Sequence, residues 1–285
     1  MKIAVTGATG HLGGQVVDQL LKKTNLTNVI ALAHTKKHAH KLLNQGIEVR
    51  EIDFQNEDSL VDAFAGIDTL IYIASKTYSV LDRVKELENV LSAMAKNNIH
   101  NLVAMSFIAD QENNPFVMSP FYGYLPRRLA GTKLNYAIAK NVLYADPLVP
   151  YLPELIERHA LIYPVGKQRM SFISIADSAE AITDMALNKD ILASRRTYTL
   201  TQSRSYTMPE LGEIMTKVTG HEIGYQPVTV EEFGKIYADE GDGSELASMY
   251  ASGAMGMLTA ICDDFAHITG HEPETMTTFL KRNYK

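Results

Sequence analysis

The segment that most limits what this chain can fold into is its opening, "KIAVTGATGHLGG". A short apolar run breaks at Gly7, and Gly7, Gly10 and Gly13 then recur every third residue as G-x-x-G-x-x-G. Leu12, Val16, Val17, Leu20 and Leu21 follow at helical spacing. The order is therefore strand, glycine turn, helix. Early glycines in such a turn let the chain reverse tightly and let the backbone approach a diphosphate. The last one lets helix and strand pack closely, and the free N–H groups at the helix mouth attract phosphate. The pattern predicts a dinucleotide-binding turn at the head of a parallel sheet; a plain turn is the competing reading.

The rest of the first half alternates in the same way. "NVIALA" (28–33), "IEVREI" (47–52), "DTLIYIA" (68–74), "NLVAMS" (101–106) and "LNYAIAK" (134–140) read as strands. Helical stripes fall between them: Leu60, Val61 and Phe64 after the acids Glu57 and Asp58, then Val84, Leu87, Leu91 and Met94. Near-continuous apolar strands separated by helices imply a doubly wound α/β fold buried on both faces, with its ligand at the carboxyl ends of the strands. Near Tyr144 the pattern changes. "YADPLVPYLPELIERHALIYPVG" carries four prolines and reads as a lobe insertion. "MSFISIADSAEAITDMAL" returns to a strand and a helix, and "RTYTLT" (196–201) reads as a late strand. Beyond it the chain is mainly helical, with capping boxes expected at Thr207/Glu210 and Thr229/Glu232. Residues 1–141 plus 169–202 are expected to form the larger domain. Residues 142–168 plus 203–285 are expected to form a small helical lobe.

Bulk properties exclude several classes. A formal net charge of −6 argues against broad nucleic-acid binding. The single cysteine, Cys262, permits no internal disulfide, which fits a reducing compartment. The opening apolar run is too short for a signal peptide, and no run approaches the ~20 residues of a membrane helix. The expectation is a cytoplasmic chain with no membrane partner, and nothing in the sequence specifies an oligomeric state.

"TGATGHLG" resembles the extended and atypical short-chain dehydrogenase/reductase superfamily. "IDFQNEDSLVDAFAGIDTLIYIAS" and "FISIADSAEA" resemble its NmrA-like branch, and within it bacterial proteins related to quinone oxidoreductase and triphenylmethane reductase. The resemblance covers nearly the whole chain, most strongly 1–110. It implies a Rossmann domain with a small C-terminal substrate lobe. It also implies that Gly7, Thr9, Gly10, His11, Leu12 and Gly13 touch the pyrophosphate, that Asp53 and Phe54 border the adenine, and that Ile73, Ala74 and Ser75 run past the ribose and nicotinamide. Lys140 matches a basic position near the nicotinamide. For 53–54 and 73–75 the competing reading is capping or core duty.

An NAD site usually carries an acid at the end of the second strand, to hold the ribose 2′-hydroxyl. Here "ALAHTKKHAHK" offers His34, Lys36 and Lys37 and no acid. Cations attract a 2′-phosphate, so NADP is expected over NAD, although His34 stands where NADP-binding relatives commonly have arginine. A solvated basic helix start is the alternative. His34 and His38 have metal-ligand spacing, but no carboxylate or cysteine completes a set, and no metal is expected.

"FYGYLPRRLAG" (121–131) holds the candidate catalytic groups Tyr122, Tyr124 and Arg127. Superfamily enzymes pair a tyrosine with a lysine four residues on. Here Arg128 lies four after Tyr124, and Arg127 better matches the lysine place. Arginine would lower a phenol's pKa but does not shuttle protons. The alternative is a helix with pocket-lining tyrosines and solvated arginines. Tyr144, Tyr151, Tyr163 and Phe172 are candidates to line an acceptor pocket, or equally to fill the lobe core. The resemblance implies an NADPH-dependent reductase passing hydride to a quinone or similar small electrophile. The alternatives are a dinucleotide-binding redox sensor without turnover and, less favoured for want of the lysine, a nucleotide-sugar epimerase or dehydratase.

Overall fold

The computed structural model describes residues 1–238 and 243–284. Its chain divides into two compact units, the first of residues 1–106, 124–140 and 178–198, the second of 107–123, 141–177 and 199–285.

The first unit is built on a seven-stranded sheet. Its strands are β1 (Ile3–Val5), β2 (Val29–Ala33), β3 (Glu48–Glu51), β4 (Thr69–Tyr72), β5 (Asn101–Phe107), β6 (Asn135–Asn141) and β10 (Arg196–Leu200), in the order β10-β6-β5-β4-β1-β2-β3. β1 runs parallel to both β2 and β4, β2 to β3, and β4 to β5. β1, β2 and β4 are buried at every position, as apolar strands covered on both faces must be. Chain order reverses between β1 and β4, and a doubly wound sheet opens a crevice at such a switch point.

Helix α1 (His11–Lys23) buries Leu12, Val16, Val17 and Leu20, the face read from its spacing. After the short α2 (His40–Asn44), α3 (Glu57–Ala63) starts where the Asn56 side chain accepts from the Ser59 N–H. Ser79 caps α4 (Val80–Lys96) in the same way, and that helix buries Leu87, Val90, Leu91 and Met94. Val90 takes the place expected for Val84, which is half-buried. α5 (Ser119–Ala130) and α7 (Ile175–Leu187) each contribute residues to both units, and α8 (Lys189–Ala193) precedes β10.

The second unit holds a three-stranded sheet in the order β11-β9-β7, made of β7 (Leu143–Tyr144), β9 (Arg169–Ile173) and β11 (Ser205–Thr207), and a pair of β8 (Ala160–Leu161) with β12 (Gly224–Tyr225). Helices α6 (Leu148–Arg158), α9 (Met208–Thr219), α10 (Val230–Ile236), α11 (Gly243–Ala254), α12 (Asp264–Thr269) and α13 (Met276–Asn283) make up most of the rest. Residues 169–202 do not fall whole into the larger unit as expected. β9 is parallel to β7 and antiparallel to β11, so its backbone is paired within the second unit. Residues 107–123, expected in the larger domain, also group with the second unit.

A candidate dinucleotide site in the first unit

The glycine turn shows why each of its small residues is needed. Gly7 has φ +61°, a conformation that side chains rarely adopt. A Cβ on Gly13 would sit 2.2 Å from the Gly7 carbonyl oxygen and 3.0 Å from the Ala8 Cα, so α1 packs on the turn backbone to backbone. Gly10 is the N-cap of α1, and its N–H donates to the Gly7 carbonyl at 2.9 Å. With no side chain on Gly10 and no acid among the first-turn residues His11, Leu12, Gly13 and Gly14, the positive end of the helix is left for an outside anion. Thr9, Gly10 and His11 are exposed there, while Leu12 and Gly13 are buried beneath them.

Thr6 fastens this turn to the next strand. Its buried hydroxyl donates to the Ile73 carbonyl at 2.8 Å and accepts from the Ile73 N–H at 2.7 Å. Ile73 is itself buried, with its Cγ2 3.6 Å from where a Gly7 Cβ would point. The segment that follows is tied to α4. Ser75 Oγ donates to Glu86 Oε2 at 2.6 Å, and Arg83 Nη2 donates to the carbonyls of Ser75 (2.8 Å) and Thr77 (2.5 Å). Glu86 Oε1 accepts from Gln55 Nε2 at 3.3 Å, so this nearly buried carboxylate joins the 53–55 segment to 73–75. Sequence reading missed Arg83 and Glu86. Their signal was a charged pair on the apolar side of α4, legible only once that face is known to be buried.

Asp53 is exposed, and its Oδ1 accepts from the Gln55 N–H at 2.9 Å. Phe54 is half-buried and meets the Tyr72 ring edge-on at 6.0 Å, so it has a packing role whatever it borders outside. His34, Lys36 and Lys37 are all exposed, directly after β2. Thr35 caps the one-turn 3-10 helix of residues 36–38 through the Lys37 N–H. Lys140, the penultimate residue of β6, is half-buried. The glycine turn, 34–37, 53–54, 73–75 and Lys140 thus all belong to the first unit.

The candidate catalytic residues separate. Tyr124 Oη donates to Glu88 Oε1 at 2.7 Å, and Arg128 grips the same carboxylate with two bonds of 2.8 and 2.9 Å. Burial, and then the Glu88 hydrogen bond and charge, push the Tyr124 phenol above its ordinary value. Arg128 pulls the other way, as a cation beside a phenol should, but burial and the Glu88 carboxylate outweigh it. Pro126 lies inside α5 and adds no N–H to the helix ladder. Arg127 is exposed.

Tyr122 belongs to the second unit, buried among Phe107, Phe116 and Phe121 with ring centroids 5.5–6.2 Å away. In the same unit Tyr163 stacks on Tyr250 at 4.8 Å beside Phe233, and burial holds its phenol well above the ordinary range. Phe172 is 2% exposed and packs on Tyr206. Both rings are engaged in core packing, the second of the two roles open to them from sequence. Tyr144 and Tyr151 are half-buried; Tyr144 Oη accepts from Asn141 Nδ2 at 2.9 Å, and Tyr151 meets Tyr237 edge-on at 5.5 Å.

A family model described as NAD(P)H-binding matches residues 7–142. The chain is 25% identical to quinone oxidoreductase 2 of Escherichia coli over 278 residues, 96% of each chain. It superimposes on the triphenylmethane reductase of Citrobacter sp. complexed with NADP(H) with a TM-score of 0.88 at 26% identity, covering 99% of this chain and 100% of that one. A structure from Staphylococcus aureus described as a nucleoside-diphosphate-sugar epimerase gives 0.93 at 35% identity, covering 99% and 100%. The likenesses to whole proteins span 96–99% of the chain, and all of them agree with the glycine turn and its sheet. The chain belongs to the NAD(P)H-binding, NmrA-like branch of the atypical short-chain dehydrogenase/reductase superfamily.

Proposed function

We propose that this chain is an NADPH-dependent reductase that passes hydride to a quinone or a similar small electrophile. The observation that carries the reading is the open mouth of α1, where Gly10 caps the helix without a side chain and a bulkier Gly13 would strike the Gly7 backbone. A bound nicotinamide cofactor supplies the hydride. The chain's own part is positional: the Gly7–Gly13 turn holds the diphosphate, Asp53 and Phe54 border the adenine, and the 73–75 segment with Lys140 flanks the ribose and nicotinamide. Reduction of a quinone leaves an oxyanion that solvent protonates, so no dedicated acid is needed. The names of the E. coli and Citrobacter relatives support this acceptor class.

The preference for NADPH rests on the exposed cations His34, Lys36 and Lys37. Replacing Lys36 and Lys37 together with alanine is expected to weaken NADPH binding about tenfold and to leave NADH binding unchanged, as read by calorimetry. Equal loss of both nucleotides refutes the preference.

The S. aureus likeness favours a second reading, a nucleotide-sugar epimerase. Such a reaction needs a defined base to remove a hydroxyl proton. Against it, no lysine follows Tyr122 or Tyr124 at four residues, and the Tyr124 phenol is tied to Glu88 with a raised pKa. The deciding experiment gives the purified chain NADPH with a panel of quinones, and separately UDP-sugars. Steady NADPH oxidation supports the reductase. Sugar conversion without net cofactor oxidation supports the epimerase, and tight NADPH binding with no turnover supports a sensor.

A further inference from the structure

The end of β2 lacks an acid in sequence, yet the fold brings one there from the neighbouring strand. Glu51 is the last residue of β3 and pairs in register with Ala33, the last of β2. Its Oε1 accepts from the backbone N–H of Lys36 at 2.8 Å. The other amides of this turn are also taken from within. Lys37 N–H donates to Thr35 Oγ1 at 3.3 Å, His38 N–H to the Thr35 carbonyl at 3.3 Å, and Ala39 N–H to the Lys36 carbonyl at 2.9 Å. A turn that could offer backbone donors to a 2′-phosphate therefore has all four occupied, one of them by a carboxylate. The exposed side chains of His34, Lys36 and Lys37 are left to answer such a phosphate.

We infer that Glu51 is the residue that sets the margin between NADPH and NADH. It does so only where the glycine turn holds a nicotinamide dinucleotide, as proposed above. Glu51 acts as a built-in anion at the place where NADPH carries its extra charge. It repels the 2′-phosphate and withholds the Lys36 amide from it. Toward NADH the same carboxylate is harmless or helpful, since a ribose 2′-hydroxyl can donate to it. The lysines pull toward NADPH and Glu51 pulls back, so the chain's preference is narrower than its three cations alone imply. Because Glu51 also anchors the turn, removing its charge must be separated from removing its acceptor.

Glu51→Gln keeps an acceptor oxygen for the Lys36 amide and removes the charge. Glu51→Ala removes both and frees the amide. The test measures Kd for NADPH and for NADH by calorimetry on wild type and both variants, at low and at physiological salt. The ratio Kd(NADH)/Kd(NADPH) is expected to rise about 3- to 10-fold in Glu51→Gln, with the larger change at low salt. It moves the same way in Glu51→Ala. A ratio unchanged in both variants, or equal shifts for the two nucleotides, overturns the role of Glu51 while leaving the dinucleotide site standing. A wild-type chain that binds neither nucleotide overturns the site itself, and the role of Glu51 with it.

Discussion

At position 88 a glutamate on α4 meets two donors from α5, and the three groups decide what the Tyr-x-x-x-Arg spacing amounts to. Burial by itself would raise the Glu88 carboxyl. The hydrogen bonds from Arg128 and Tyr124, together with the Arg128 charge, outweigh burial and hold it below its ordinary 4.5. A carboxyl whose folded pKa is depressed contributes stability above its unfolded value, and that contribution is lost as pH falls through the folded value. Glu88→Gln is therefore expected to be less stable than wild type at neutral pH. The difference should shrink as pH drops below 4.5 and vanish once wild-type Glu88 is protonated. Thermal midpoints of the two proteins across that range check it; a difference constant with pH means the charge plays no part. The spacing of Tyr124 and Arg128 was legible in sequence, but the carboxylate between them was not. Glu88 lies 36 residues from Tyr124 and 40 from Arg128. The same holds for Glu51 and the Lys36 amide, and for Glu86 and Ser75, because a side-chain contact made between separate segments leaves no local periodicity to read.

Elements were legible where their signals are local. Most strands of the first unit announced themselves as apolar runs and β3 as an alternating one, and both capping boxes formed as expected, with Thr207 and Thr229 accepting the N3 amides of α9 and α10 while Glu210 and Glu232 reach back. The boxes differ in their surroundings. Thr207 is also the last residue of β11, in register with Arg169 on β9, and Glu210 takes charged contacts from Arg169 at 2.7 Å and Arg204 at 3.2 Å. The Thr229 box is exposed and caps a seven-residue helix. Thr229→Ala is expected to cost about 1 kcal/mol, and Thr207→Ala more, because it also slackens the β9–β11 junction. Urea midpoints at constant m give both values, and a smaller loss at Thr207 refutes the coupling. Strand membership was less legible than strand existence. β9 reads as a buried apolar strand in either unit, and only its pairing with β7 and β11 assigns it.

Over the whole molecule, the path of the chain matters more than the boundary of any motif. The NAD(P)H-binding match ends at 142, and 1–141 carries every residue proposed to touch the cofactor. Yet the first unit is completed by 178–198, which return from the second unit with the end of α7, α8 and the start of β10. β10 lies beside β6 at the edge of the sheet. Arg195 donates to the carbonyls of Ala130 and Thr132 at 3.1 and 2.7 Å and stands over the Tyr136 ring at 5.3 Å. Lys23 on α1 pairs with Asp184 at 2.5 Å and with Glu180 at 3.9 Å. A fragment of residues 1–142 would keep the glycine turn but leave the β6 edge unpaired and remove α7 residues such as Ala181, Ile182 and Met185, all buried in the chain. An unpaired apolar edge is a template for association with other chains. The fragment is expected to aggregate, to show no cooperative thermal transition by circular dichroism, and to bind neither nucleotide. If it instead melts cooperatively as a monomer, the contribution of 178–198 to the first unit is dispensable. Each unit is assembled from three separated stretches, and the chain passes between them five times along its length. Neither unit can therefore form from one continuous piece, which is why the dinucleotide turn, the most legible feature of the sequence, does not by itself define a domain that folds alone.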